Sequence, residues 1–193
     1  RQPVTSGIEH VMISDVPDSA AGAAGLAAPA LYAVSDLHVG YPENKRIVAG
    51  LRPRSAGDWL IVAGDVGELF DDIEWALALL SERFAKVIWV PGNHELWTHP
   101  KDPVTLRGRE RYESLVRACR RLGVVTPEDP YPVWDGAGGP AVIAPLFLLY
   151  DYTFLPDQAA TKAEGLARAL AAGVVCTDEM LLHPDPYPSI QAW

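Results

Sequence analysis

Three stretches of this chain decide its architecture: Leu31-Tyr-Ala-Val-Ser-Asp-Leu-His38, Trp59-Leu-Ile-Val-Ala-Gly-Asp65 and Lys86-Val-Ile-Trp-Val-Pro-Gly-Asn-His-Glu95. Each is a short apolar run closed by polar residues that can do chemistry. The runs are continuous and β-branched rather than alternating, the pattern of strands in a parallel sheet covered on both faces. They recur at roughly 30 residues, about one strand-helix unit each. In such a sheet the carboxyl ends of neighbouring strands share one edge, where sites form. The spacing therefore predicts that Asp36, His38, Asp65, Asn93 and His94 converge in one cleft.

The residue types in that cleft point to a metal site with a catalytic histidine. Carboxylate and imidazole suit divalent ions such as Mn, Fe or Zn, and the lack of thiolates argues against a structural zinc cage. Asp36 and His38, one residue apart on a turn, can chelate one ion together. Asp65, on the middle strand, is placed to bridge two ions, and Asn93 offers a neutral oxygen to the second. Gly64 and Gly92 remove side chains where backbone and ions must approach closely.

The three strings D-x-H, GD and GNHE, each closing a strand, resemble the first half of the calcineurin-like metallophosphoesterase signature. The resemblance implies an α/β fold, a four-layer α/β/β/α sandwich of which this chain covers the N-terminal part. It implies two metal ions, with Asp36 and His38 on metal 1, Asp65 bridging and Asn93 on metal 2. His94 would not bind metal but would face the scissile phosphate and assist the leaving oxygen. Family members carry a further histidine and a G-H-x-H string. The remaining histidines here, His10, His99 and His183, stand in no such context. Metal 1 thus has three candidate ligands and metal 2 has two, and the chain reads as part of a catalytic domain, incomplete at its C-terminus.

Composition narrows the setting. With 16 Lys and Arg against 25 Asp and Glu, the net charge of −9 disfavours a nucleic-acid backbone as partner. Cys119 and Cys176 read as reduced thiols, no apolar run approaches the roughly 20 residues of a membrane span, and residues 1–30 lack the pattern of a signal peptide. A cytoplasmic enzyme is expected, with no membrane partner. Residues 1–30 form an Ala/Gly/Pro-rich arm, and 31–193 the catalytic domain.

Helical spacing predicts a short helix after the first motif with Ile47, Val48 and Leu51 inward. A second runs over Asp71–Phe84, with Ile73, Leu77, Leu80 and Phe84 on one face. Leu106–Leu122 forms a third around Tyr112, Leu115, Val116, Cys119 and Leu122, ended by Gly123. Val124–Val125 and Ala141–Leu146 read as further strands separated by the turn-rich 135–140, and Ala159–Ala172 as a last helix. The third helix carries Arg107, Arg109, Arg111, Arg117, Arg120 and Arg121, most of them opposite its apolar arc. Such a face is either a solvated surface or a docking patch for an acidic protein, with Arg117 and Arg121 as its candidate contacts. Tyr150 and Tyr152 follow a strand end, where aromatics either pack or line a substrate cleft.

Longer stretches resemble a narrower group. Leu31 to Gly40, Val87 to Trp97 and Ala144-Pro-Leu-Phe-Leu-Leu-Tyr-Asp-Tyr-Thr-Phe154 are similar to the actinobacterial phosphopantetheinyl hydrolases, and the similarity runs from about Leu31 onward. The resemblance implies cleavage of the phosphodiester that joins phosphopantetheine to a serine of an acyl carrier protein, an acidic partner. A general phosphomonoesterase or nucleotide phosphodiesterase would share every metal residue. A binding module without catalysis is the reading if the chain is complete.

Overall fold

Strands β1 (Leu31–Val34), β2 (Trp59–Ala63) and β3 (Lys86–Val90) form in a computed structural model that describes residues 28–193. They pair side by side in parallel, β1-β2-β3, with Leu31 opposite Trp59 and Trp59 opposite Lys86. Val125 adds a single parallel bridge to Ile88 at the far edge. The connections are helices α1 (Pro42–Gly50), α2 (Phe70–Ser81) and α3 (Gly108–Arg121). Proline at the start of α1 has the φ that a helix needs and no N–H to leave unsatisfied.

The core fixes which face of the sheet is covered. Val34, Leu60, Val62, Val87 and Trp89 are buried in one cluster with Val48 of α1, Ile73, Leu77 and Leu80 of α2, and Leu115, Val116 and Cys119 of α3. Burying a Leu or Ile contributes about 1.5–3 kcal/mol, so this face carries much of the fold's stability. The helices are also tied to each other. Lys45 pairs with Asp72 at 2.7 Å, and Arg83 donates to the carbonyls of Val48, Ala49 and Leu51 at the end of α1.

Several expectations are corrected here. The second face of the sheet is covered only unevenly among the described residues: Ala33 and Ala63 are exposed and Ile61 is half-buried, whereas Ile88 beside it is buried. On that face Trp134 packs edge-on to Trp59 at 5.2 Å. Ile47 is exposed, because α1 buries only Val48 and turns both of that residue's neighbours, Ile47 and Ala49, outward. The Ala141–Leu146 strand is two residues long: β4 (Val133–Trp134) and β5 (Ala141–Val142) pair antiparallel across the 135–140 turn and stay outside the parallel sheet. The last helices are α4 (Lys162–Ala171), capped by the Thr161 hydroxyl accepting from the Glu164 N–H, and the single turn α5 (Asp178–Leu181). The described residues thus supply a three-stranded parallel sheet with its covering helices and a separate two-stranded hairpin. The arm called over residues 1–30 and His10 lie outside the described residues, apart from 28–30.

Candidate metal centre

The edge formed by the carboxyl ends of β1, β2 and β3 is built from strained backbone. Asp36, His38 and Asp65 have φ of 55°, 39° and 54°, in the left-handed region that costs a non-glycine residue of order 1 kcal/mol or more. Such strain persists only where surrounding bonds over-determine it. Asp36 N–H donates to the Gly64 carbonyl at 3.1 Å, His38 N–H to Asp65 at 2.9 Å and Val39 N–H to Val66 at 2.9 Å, so the first two motif loops are laced together beyond their strands. Gly64 (φ 86°) lies against the backbone of Gly92, where a Cβ would meet the Gly92 nitrogen at 2.7 Å. A Cβ on Gly92 would in turn meet Asp65 Oδ1 at 2.0 Å. Both glycines are needed for close approach, of loop to loop and of loop to the Asp65 carboxylate.

Glu95 and Arg111 hold this edge from beneath, and neither role is read from the sequence above. Glu95 is fully buried and accepts from the backbone N–H groups of Asp65, Val66 and Gly92 at 2.9–3.0 Å and from Trp89 Nε1 at 3.4 Å. Burial pushes its carboxyl up to about 7, against the backbone donors that favour the charged form. Arg111 is the exception to the outward-facing arginines of α3. It is buried, pairs with Asp102 at 2.9 Å, and donates to the carbonyls of Glu95 at 2.6 Å and Glu68 at 3.0 Å. It therefore pins the loops after β2 and β3 from the α3 side.

Above that support, His38, Asp65 and His94 each offer a donor atom within 4.8 Å of the others. Asp36 lies outside this tightest group, yet its charge acts on both His38 and Asp65. Glu68, three residues past Asp65, accepts from Nδ1 of His38 at 3.2 Å and of His94 at 3.0 Å. These hydrogen bonds, His38's first, hold its carboxyl well below the usual carboxylate range, and the bond from Glu68 raises His38. Burial pushes Asp65 up, since its charge is taken out of water with only partial compensation from the two histidines. The His94 N–H donates to Asp65 Oδ1 at 3.2 Å.

Asn93 is oriented by a residue far along the chain. Its Nδ2 donates to both oxygens of Asp178, at 2.8 and 3.0 Å. The donor set fits a divalent cation: carboxylate, imidazole and amide oxygen, no thiolate, imidazoles backed by an outer carboxylate, and a half-buried Asp65 whose charge a cation would offset. His99 and His183 are absent from the cluster.

The remaining candidates lie elsewhere. Tyr150 is exposed and meets Tyr152 edge-on at 4.9 Å. Tyr152, at φ 61°, donates its hydroxyl to Glu179 Oε1 at 2.6 Å, with Lys162 Nζ 3.9 Å above its ring. Its link to the centre is α5, whose Asp178 holds Asn93 while Glu179 holds Tyr152. Arg117 borders a groove of about 700 Å³ with Arg109, Arg120, Tyr112, Phe147 and Trp193. Arg121 pairs with Glu74 at 2.9 Å and is not among the residues lining that groove. Glu68 was legible as a carboxylate inside the second motif loop; Asp178, 85 residues beyond Asn93, carried no signal in the sequence.

Comparison with known proteins agrees with this geometry. The chain is 60% identical over 167 residues to the [acyl-carrier-protein] phosphodiesterase PptH of Mycobacterium tuberculosis, covering 86% of this chain and 52% of that protein. It therefore spans about half the length of that curated relative. The crystal structure of phosphopantetheinyl hydrolase (PptH) from the same organism superposes with a TM-score of 0.83, at 60% identity over 86% of this chain and 59% of that one. The calcineurin-like phosphoesterase family matches residues 30–158, a span that takes in all three motif loops. On this evidence the chain belongs to the calcineurin-like phosphoesterases, and its fold is the metallophosphoesterase fold.

Proposed function

We propose that this chain carries the first half of a dinuclear site that hydrolyses the phosphodiester joining phosphopantetheine to acyl carrier protein. The chemistry rests on one observation above all: His38, Asp65 and His94 converge within 4.8 Å around a single outer carboxylate, Glu68. The substrate rests on the 60% identity to a protein named for that reaction. Asp36 and His38 would hold one ion and Asn93, through its amide oxygen, the second, with Asp65 shared between them; the ions would be Mn, Fe or Zn. The chemistry that bound ions would supply there is a lowered pKa for a water and neutralisation of phosphate charge.

The chain's own residues supply the rest. Glu95 and Arg111 fix the loops, so the ligands need not reorganise as the reaction proceeds. His94 has its Nδ1 committed to Glu68, which makes Nε2 the nitrogen that meets the departing serine oxygen and assists it. Tyr150 and Tyr152 border the pantetheine, and Arg117 contacts the acidic carrier protein. Residues 31–193 belong to the catalytic domain. The setting is cytoplasmic, in keeping with thiols that are both unpaired, Cys119 buried and Cys176 half-buried. No helix among the described residues is long and apolar enough to cross a membrane.

The test is mass spectrometry of holo acyl carrier protein incubated with the purified, Mn²⁺-loaded enzyme. Loss of the phosphopantetheine mass is expected. An unchanged carrier protein, together with brisk hydrolysis of a small chromogenic diester, overturns the substrate in favour of a general phosphodiesterase.

A further inference from the structure

Asp178 accepts three hydrogen bonds, from two side chains, that the motif residues cannot supply for themselves. Its carboxylate is nearly buried, at 7% exposure, and accepts from Asn93 Nδ2 through both oxygens. It also accepts from Trp97 Nε1 through Oδ1. Trp97 in turn packs on His94, with ring centroids 3.7 Å apart and planes 31° from parallel. One carboxylate therefore holds both the Asn93 amide and the indole behind His94.

The consequence for Asn93 follows from donor and acceptor chemistry. An ionised carboxylate can only accept, so the amide must turn its NH₂ toward Asp178 and its Oδ1 away. A cation can be met only by that oxygen. Without Asp178 the two ends of the amide differ little in energy, and half of its orientations would point N–H donors at a cation. The clamp is itself held: Trp97 forms an antiparallel bridge with Leu182, the Thr98 N–H donates to the Leu181 carbonyl at 2.9 Å, and the Leu182 N–H donates to the Asp178 carbonyl at 2.9 Å. The turn α5 is thus sewn to the loop that carries Asn93 and His94.

We infer that Asp178 is a positioning residue of the metal centre, fixing the Asn93 amide with its oxygen toward the second ion and bracing His94 through Trp97. This rests on the reading of Asn93 as a ligand. It assigns to α5 a part in the site that the three motifs do not contain. Groups of this kind, one bond removed from a ligand, typically change metal affinity 10–100-fold when removed.

The experiment is Mn²⁺ titration by calorimetry on the wild type, Asn93→Ala, Asp178→Ala, Asp178→Asn and the exchange Asn93→Asp/Asp178→Asn, with thermal unfolding of each metal-free protein. Asp178→Ala should weaken one Mn²⁺ site about tenfold or more and leave the other within about twofold. The exchange should recover most of that loss, because an amide at 178 can donate to the new carboxylate at 93 while its oxygen accepts from Trp97. A merely structural role for Asp178 would lower the unfolding temperature in every variant and would not be rescued by the exchange. Asp178→Asn keeps the shape and removes the obligatory acceptor, so it reads the clamp even if Asp178→Ala folds poorly. If Asn93→Ala weakens one Mn²⁺ site but neither Asp178 variant does, the clamp is wrong and the metal reading stands. If Asn93→Ala leaves both sites unchanged, Asn93 is not a ligand, and the functional reading loses its second ion along with the clamp.

Discussion

Gly92 concentrates the site's geometric demands in one missing methyl group. A Cβ there would fall 2.0 Å from Asp65 Oδ1, and the Gly92 N–H is one of the donors held by Glu95. The loop cannot retreat without giving up that bond, so Gly92→Ala should displace the Asp65 carboxylate. The expected result is loss of metal binding and at least a hundredfold loss of turnover, with metal content by elemental analysis as the check. Asp65→Ala should behave in the same way. His94→Ala, by contrast, should keep the metals and lose turnover by about 10²–10⁴, the usual range for a proton-transferring side chain. Unchanged turnover in His94→Ala would remove it from the mechanism. At this scale much was legible. The motif letters included His38, Asp65 and His94, which the structure brings within 4.8 Å of one another at the strand ends. The letters did not show that Glu95 and Glu68 serve the ligands from behind, nor that Asp178 reaches Asn93 across 85 residues, since only tertiary folding brings α5 there.

The helices show where periodicity succeeds and where it misleads. Ile73, Leu77 and Leu80 are buried at the expected spacing, and the boundaries of β1, β2 and β3 match their apolar runs. On α3 the same reasoning sets most arginines opposite the apolar arc and does not single out Arg111 as the buried one. The buried Asp102 and the carbonyls of Glu68 and Glu95 hold it inside. Arg111→Ala should therefore cost about 3–5 kcal/mol in urea unfolding, since it strands a buried carboxylate, whereas Arg117→Ala should stay within about 0.5 kcal/mol. A second element-scale test is the turn after α3, where Asp129 accepts from the Thr126 N–H and hydroxyl and pairs with Arg120 at 2.8 Å. Burial works to raise Asp129, but these partners prevail and hold its carboxyl below the ordinary 3.8. A depressed carboxylate stabilises the folded state above its unfolded value, and that contribution fades as pH falls through the folded value. The stability gap between wild type and Asp129→Asn should therefore be constant near neutrality and close below about pH 4. A gap independent of pH down to 2 would show that the cap does not depend on Asp129's charge.

At the scale of the molecule, the arginine-bearing face must act within an acidic field, with a net charge of −9. Most of its cations are already answered: Arg109 by Glu113, Arg120 by Asp129 and Arg121 by Glu74. Arg117 has no ion-pair partner among the described residues and borders the groove in which Tyr112 stacks on Phe147 at 4.7 Å. A positive charge beside an aromatic wall suits an acidic, partly apolar surface, the kind of contact in which charge sets encounter and specificity more than raw affinity. The two arginines singled out in the sequence should consequently separate. Arg117→Glu should raise the KM for carrier protein severalfold and leave a small chromogenic diester untouched, whereas Arg121→Glu, already screened by Glu74 in the wild type, should do less. Added salt should weaken carrier-protein turnover in the wild type as the Debye length shrinks from about 10 Å at 0.1 M to about 3 Å at 1 M, and should do so less in Arg117→Glu. Equal KM for carrier protein in wild type and Arg117→Glu at low salt would remove this face from substrate recognition. The proposed hydrolysis would be left intact, because nothing in the metal centre depends on where the carrier protein docks.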